Sequence, residues 1–390
     1  MFDSLLAVLN EDGPFVGAGL VAMTPQRGIM ILLSLLLAWL AIKKKYEPLL
    51  LLPLAFGMLI ANIPVAGLSA YDEGGLMNFL YQGIVREIYP PMIFLCLGCM
   101  TDFGPLISSP KSAFIGLGGQ LGIFMAFGAS LIVGNLLVPV IPGFEGFTFK
   151  EAAAIGIIGS SDGPTSIFTA TRLAPELLPS ITIAAYSYMA LVPIIQPPVM
   201  RAFTTEKERA IVMPEPKKVT KRQKILFPVI LTILTLLLVP AAGALISMLM
   251  LGNLIKECGA TERYVGTLQN DALNILTLLV GISIGCSAVA DRFLTPKTLI
   301  IVCCGLLAFI FGTIGGVLIA KLLCKITKGK VNPLIGNSGV SAMPMAARVS
   351  QRLGQEANPN SHLLMHAMGP IVSSTIGSAL LAGIFIAVFG

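Results

Sequence analysis

Residues 151–171, EAAAIGIIGSSDGPTSIFTAT, decide how this chain is read. Both ends are apolar enough to enter a bilayer. The middle, Gly159-Ser160-Ser161-Asp162-Gly163-Pro164-Thr165-Ser166, cannot stay one regular helix, because Pro lacks an N–H and Gly loosens the backbone, so carbonyls lose their partners. An ionised Asp in hydrocarbon costs at least a few kcal/mol and calls for a cation or a water-filled cavity. Freed carbonyls, hydroxyls and a single carboxylate are the oxygen donors that a hard cation such as sodium prefers. Asp-Gly-Pro-Thr is also a helix N-cap signature, so a purely structural role for Asp162 stands beside the ionic one.

A second interrupted stretch, 331–349, contains Asn332-Pro333-Leu334-Ile335-Gly336-Asn337-Ser338-Gly339-Val340-Ser341 and runs into Met343-Pro344-Met345-Ala346-Ala347-Arg348. It is uncharged up to Arg348 and dense in oxygen ligands. An Arg at the end of a broken membrane helix faces a counter-ion or an anionic substrate, or else snorkels to the interface.

The chain around these breaks has 390 residues, 55% hydrophobic and 12% charged. Soluble domains carry roughly 25% charge, so this composition leaves too little polar surface for a water-soluble globule. We read an all-α polytopic membrane protein with about eleven apolar segments, near 28–42, 46–70, 88–101, 112–139, 151–171, 178–200, 225–255, 272–290, 298–320, 331–349 and 362–389. Residues 1–45 form an N-terminal interfacial segment and first membrane helix, with Phe2, Leu5, Leu6 and Leu9 on one face. The opening MFDSLLAVLNEDGPF has neither a basic n-region nor a small-residue cleavage site, so no cleavable signal peptide is expected. Residues 46–200 and 225–390 form two membrane repeats. Between them, 201–224 is a linker with eight basic residues, assigned to the cytoplasm. The net charge of +6 reads as a topology signal, with no nucleic-acid partner implied. If every stretch crosses once, the Lys43–Lys45 and Lys321–Lys330 clusters fall opposite the linker.

The repeats rest on internal similarity. FLCLGCMTDFGPLISSPKSAFIGLGGQLGIF (94–124) parallels LLVGISIGCSAVADRFLTPKTLIIVCCGLLAFIF (278–311), with Cys99 on Cys286 and Pro110-Lys111-Ser112 on Pro296-Lys297-Thr298. Gly159 likewise pairs with Gly336. An odd number of segments per half makes the second repeat inverted, and Gly/Pro-interrupted segments in matching positions point to a transport site at the repeat interface. Tyr188, beside Tyr186 and Ser187 in an apolar helix, needs a polar partner and is a candidate ligand neighbour or proton donor, or simply a packed phenol. His362 and His366 share a helix face without an acidic pattern, so no zinc site is read. Cys96 and Cys99 form a CxxC on a membrane helix and are read as packing thiols. No GxxxxGK[ST] loop and no Met-Lys-Met biotin-attachment tripeptide is present, so ATP does not drive this chain and any biotin is carried by a partner.

At GSSDGPTSIF (159–168), NPLIGNSGVSAMPMAARVSQ (332–351) and LLMHAMGP (363–370) the chain resembles the beta subunit of the sodium-translocating, biotin-dependent decarboxylases that act on oxaloacetate, methylmalonyl-CoA, glutaconyl-CoA or malonate. The resemblance covers nearly the whole chain. It implies a bacterial cytoplasmic-membrane subunit that decarboxylates carboxybiotin, exports Na+ and consumes a proton. It also implies a biotin carrier, a carboxyltransferase (alpha) subunit and a small membrane-anchoring (gamma/delta) subunit as partners. The family's functional residues fall on Asp162, Tyr188, Asn332, Gly336, Ser341 and Arg348. Asp162, Asn332, Gly336 and Ser341 are the expected sodium ligands, Arg348 the receptor for the carboxybiotin carboxylate, and Asp162, Tyr188 and Arg348 the catalytic set. The short front of the chain leans toward the acyl-CoA members. A sodium-coupled secondary transporter or sodium/proton antiporter shares the composition, repeats and broken helices. An avidin-binding partner separates the two readings.

Overall fold

The computed structural model describes residues 22–142, 144–215, 218–343 and 345–390, apart from the Ala190 side chain. The expected interfacial helix at Phe2–Leu9 lies outside the described residues. In chain order the helices are α1 (Pro25–Lys43), α2 (Pro48–Ala61), α3 (Leu76–Val85), α4 (Tyr89–Met100), α5 (Gly104–Ser108), α6 (Ala113–Gly119), α7 (Leu121–Leu137), α8 (Phe149–Gly156), α9 (Gly163–Leu173) and α10 (Leu178–Phe203). They continue as α11 (Glu206–Arg209), α12 (Lys221–Leu238), α13 (Gly243–Cys258), α14 (Glu262–Gly266), α15 (Leu273–Ser287), α16 (Ala290–Phe293), α17 (Pro296–Ile326), α18 (Met345–Ala357) and α19 (Leu364–Phe389). Among the described residues there is no strand. Among the described residues six helices are long and apolar enough to cross a membrane, or up to eight when each broken pair counts as one span. The sequence reading expects eleven; the shortfall falls on stretches that are short, such as the 14-residue α2, or interrupted.

The chain divides into two compact units. Of the described residues, those within 22–88 and 274–295 form the first, and those within 89–273 and 296–390 the second. In the first unit α2 and α15 meet backbone to backbone: a Cβ on Gly285 would lie 2.1 Å from the Leu54 carbonyl oxygen. Buried Asn62 fastens the ends, donating to the Met58 and Ala288 carbonyls at 2.8 and 2.9 Å and accepting from the Ala290 N–H at 2.9 Å.

In the second unit the stretch 225–255 is not one span. Pro240 ends α12 and starts a tight turn into α13, and Lys224 at the head of α12 reaches Glu257 at the foot of α13 (3.5 Å) as well as Asp102 (3.0 Å). The stretch is therefore a helical hairpin. Lys321 of α17 lies 3.3 Å from Glu208 of the linker, so this lysine stands on the linker's side and not opposite it.

The two halves exchange partners. The first half's α6 packs on α19, the last helix of the second half, while α17 of the second half packs on α10, the last helix of the first. Contacts at the helix starts match: Ser112 abuts Gly369, and the Ser180 and Thr298 hydroxyls lie 2.8 Å apart. Two short helical breaks, 157–162 and 333–342, are threaded between these helices. Their glycines allow it: a Cβ on Gly159 would meet the Gly122 backbone at 2.3 Å, and one on Gly336 the Val317 Cα at 2.4 Å.

Candidate functional site

The first break is built from its own sequence. Thr148 and Glu151 close a capping box that starts α8. The helix tightens into a 3-10 turn over Ile157–Ser160, and Ser161 then adopts a left-handed backbone, φ +53°. A non-glycine residue held there stores about 1–3 kcal/mol of strain, which the surrounding packing must enforce. Asp162 follows as the N-cap of α9, its Oδ1 accepting from the Thr165 N–H at 3.2 Å. The capping reading of Asp-Gly-Pro-Thr thus holds in the fold, and the second oxygen is left for other work. Oδ2 accepts from the Ser378 hydroxyl of α19 at 2.8 Å. Asp162 is buried and forms no ion pair among the described residues. Uncompensated burial of a carboxylate costs several kcal/mol, so the site calls for a cation or a proton.

The second break meets the first directly. Ser341 donates its N–H to the Ser160 carbonyl at 2.8 Å and its hydroxyl to Ser374 Oγ at 3.1 Å. Gln120, at the junction of α6 and α7, donates Nε2 to the Ser374 carbonyl and hydroxyl at 3.2 and 3.1 Å. Among the described residues three buried oxygens here have no hydrogen-bond partner: Ser161 Oγ, Thr165 Oγ1 and Gln120 Oε1. Orphaned buried acceptors beside an unpaired carboxylate are the donor set of a hard monovalent cation.

The other expected residues lie apart from this cluster. Asn332 caps the second 3-10 turn and donates to the Arg209 and Ile211 carbonyls at 2.9 and 2.8 Å, so its side chain ties the linker to the break. Gly336 is where that turn touches the α17 backbone. The Tyr188 phenol donates to the Val302 carbonyl of α17, and its ring covers Gly305. Tyr186 instead stands over the Asp162–Gly163 step: a Cβ on Gly163 would lie 2.2 Å from its ring. Arg348 is exposed on α18, with no ion pair or hydrogen bond among the described residues. Sequence reasoning missed Ser378, Ser374, Gln120 and the placement of Tyr186. Its available signal was the run Ser373-Ser374-Thr375 with Ser378 inside an apolar helix, buried at Ser374, Thr375 and Ser378.

A helical membrane protein whose two broken segments meet around a buried, unpaired carboxylate belongs to the class that moves cations. The chain belongs to the family of Na+-transporting oxaloacetate decarboxylase beta subunits, which it matches over residues 26–389. It is 51% identical over 384 residues to the methylmalonyl-CoA decarboxylase subunit beta of Veillonella parvula, covering 98% of this chain and 97% of the relative. It is 49% identical over 373 residues to the glutaconyl-CoA decarboxylase subunit beta of Acidaminococcus fermentans, covering 96% of each. With the oxaloacetate decarboxylase beta chain 2 of Salmonella typhi it shares 46% identity over 424 residues, 95% of this chain and 96% of the relative.

Proposed function

We propose that this subunit decarboxylates carboxybiotin presented by a biotin carrier partner and couples that step to Na+ export with consumption of one proton. The observation that carries the reading is the buried Asp162 carboxylate, hydrogen-bonded by Ser378 and without a cationic side chain, at the point where the two breaks are joined by Ser341 and Ser160. Asp162 and Ser341 ligate sodium, together with the unpartnered oxygens beside them. Asn332 and Gly336 set the second break in place through the linker and α17 contacts, and present its backbone oxygens to the ion. The reciprocal packing of α6 with α19 and α17 with α10 supports two inverted repeats, which rock or shift against each other around a fixed site.

The chemistry needs a proton at the right moment. In decarboxylation the N–C bond breaks, its electron pair stays on the ureido nitrogen, CO2 leaves, and the nitrogen takes up a proton. Sodium and a proton compete for the one Asp162 carboxylate, so the residue carries the proton only after sodium has gone, and this exclusivity is the coupling. Tyr188, held between α10 and α17, is the second candidate donor. Arg348 has an unpaired guanidinium that suits a planar carboxylate arriving from outside. The carboxyltransferase and a small anchoring subunit complete the complex, in the cytoplasmic membrane of a bacterium with the basic linker inside.

The test is avidin capture of the complex from detergent extract, followed by reconstitution and assay with free carboxybiotin. Co-capture of this chain and Na+-stimulated CO2 release, with Na+ uptake into inverted vesicles, are expected. Capture without any Na+-dependent decarboxylation would sink the reading.

A further inference from the structure

Around Asp162 some walls are fixed and others can give. Within the first break the Gly159 backbone is wedged between α7 and α17. A Cβ on Gly122 would lie 2.7 Å from the Gly159 carbonyl oxygen, and one on Gly312 would lie 3.1 Å from it. On the α19 side the carboxylate accepts from the Ser378 hydroxyl, and the Ser161 and Thr165 hydroxyls have no hydrogen-bond partner among the described residues. Such hydroxyls sit on a single torsion and can follow an ion of another size. Close-packed backbone cannot. The α10 side is closed in a third way, by the ring of Tyr186.

Tyr186 is buried, 9% exposed, and its phenol end faces the first residue of α9. A Cβ added to Gly163 would overlap the Cζ and Cε1 atoms of the ring and lie 2.6 Å from Oη. Gly163 does not have a left-handed backbone, so its conformation does not ask for glycine. Helical backbone prefers Ala to Gly, and the ring is what overrides that preference here. Asp162 is the residue before, so the ring bears directly on the step that carries the carboxylate. Tyr188, two residues on, faces the other way. It donates to the Val302 carbonyl and lies over Gly305, where an added Cβ would also meet Ile158 at 3.0 Å. The two rings of α10 thus brace the break at both ends.

Resting on the sodium site proposed above, we infer that Tyr186 is a positioning residue that sets the size selectivity of that site. By fixing the Asp162–Gly163 step against α10, the ring keeps the carboxylate and its neighbouring hydroxyls at the spacing of a sodium ion. It denies the expansion that the larger potassium ion needs. An aromatic ring suits this role because it is broad and rigid, whereas an aliphatic side chain in its place yields.

The test measures binding of radiolabelled sodium to the full chain in detergent, and its displacement by potassium. The displacement ratio does not depend on the fraction of protein that is folded. Tyr186→Leu should lower the preference for sodium over potassium at least about tenfold, the loss of a fitted wall. Tyr186→Phe, which keeps the ring, should hold it within about threefold of wild type. Tyr186→Met, also flexible, provides the same reading where the Leu variant does not fold. Gly163→Ala should weaken sodium binding about tenfold through overlap with the ring. Adding Tyr186→Leu to it should return binding to that of Tyr186→Leu alone. An unchanged preference in Tyr186→Leu overturns the proposal. Equal loss in the Phe and Leu variants also overturns it, because the hydroxyl and not the ring would then set the preference. So does a double variant that binds as weakly as Gly163→Ala. A wild-type chain that binds no sodium overturns the sodium site and this inference with it. A wild-type chain that binds sodium but does not decarboxylate free carboxybiotin refutes the proposed function alone, and the variants still decide the role of Tyr186.

Discussion

The two breaks solve one backbone problem in opposite ways. Among the described residues the first, 157–162, leaves the Ser161 hydroxyl unpartnered, as is that of Thr165 just beyond it, and carries a buried carboxylate with no counter-charge. The second is stitched. Asn337 donates to Gln196 Oε1 and to the Ala346 carbonyl, both at 2.8 Å, and accepts from the Ser338 and Ser350 hydroxyls. Gln196 in turn donates to the Asn337 carbonyl at 3.1 Å. A fully satisfied buried network rigidifies, whereas an unsatisfied one waits for a ligand. The first break is therefore left open around Asp162, while the second is held rigid at Asn337 and meets the first only at its Ser341 end.

That contrast can be broken at Asp162. Asp162→Asn keeps an oxygen for the Thr165 N–H, so α9 retains its cap. The charge is gone, however, and sodium-dependent turnover should fall by at least about 100-fold, as for loss of one partner from a buried charge pair. Carboxyl transfer by the partner should be unaffected, and normal coupled turnover in the variant would refute the assignment. The opposite signature is expected at Asn337. Asn337→Ala leaves Gln196 Oε1 without a donor and Ser350 with only its Leu334 and Ala346 carbonyls, costing about 1–3 kcal/mol of stability. Thermal unfolding should shift down markedly, while the sodium half-saturation of the folded fraction stays near wild type.

Smaller effects sharpen the division. Arg348→Lys removes the two-pronged fork but keeps the charge; carboxybiotin turnover should drop about tenfold with sodium binding preserved. Near-normal turnover would instead mean that Arg348 only snorkels. Ser341→Ala deletes one oxygen at the junction and should raise the sodium half-saturation about fivefold, the equivalent of one hydrogen-bonded ligand. An unchanged sodium dependence would remove Ser341 from the shell. The smallest effect concerns the linker. Burial opposes ionisation of Glu208, but the Thr205 N–H and hydroxyl and the Lys321 ammonium outweigh it and hold its pKa below the usual range. A lowered folded pKa stabilises above the unfolded value, about 4.3, and that contribution is lost as pH falls through the folded one. Hydrogen exchange over 205–213 should therefore rise only below about pH 4.

The breaks were legible because Gly, Pro and polar residues interrupt an apolar run, and Asp162 could be named from that alone, whereas Ser341 was singled out only through the family resemblance. Ser378 and Ser374 could be named from neither. A hydroxyl in an unbroken apolar helix can bond its own backbone, as Thr375 does to the Ile371 carbonyl. Choosing between Tyr186 and Tyr188 needs the rotation of α10, since two residues along a helix face nearly opposite ways. The hairpin at Pro240 was hidden because 225–255 is apolar throughout, and one proline does not say whether a helix kinks or reverses. The ion pair from Lys321 to Glu208 places the start of the Lys321–Lys330 cluster beside the basic linker.

The hydrogen bond from Ser378 to Asp162 spans 216 residues of chain. At about 5–20 residues per second, a ribosome needs roughly 10–40 s to travel from one to the other. For that interval the first break exists without the helix that completes it, its carboxylate in a half-built bundle. The nascent chain must then keep Asp162 protonated, hydrated or near the interface until the last helix arrives. The surroundings of Asp162 are thus completed only by the last helix, and truncation anywhere before residue 378 leaves them unfinished.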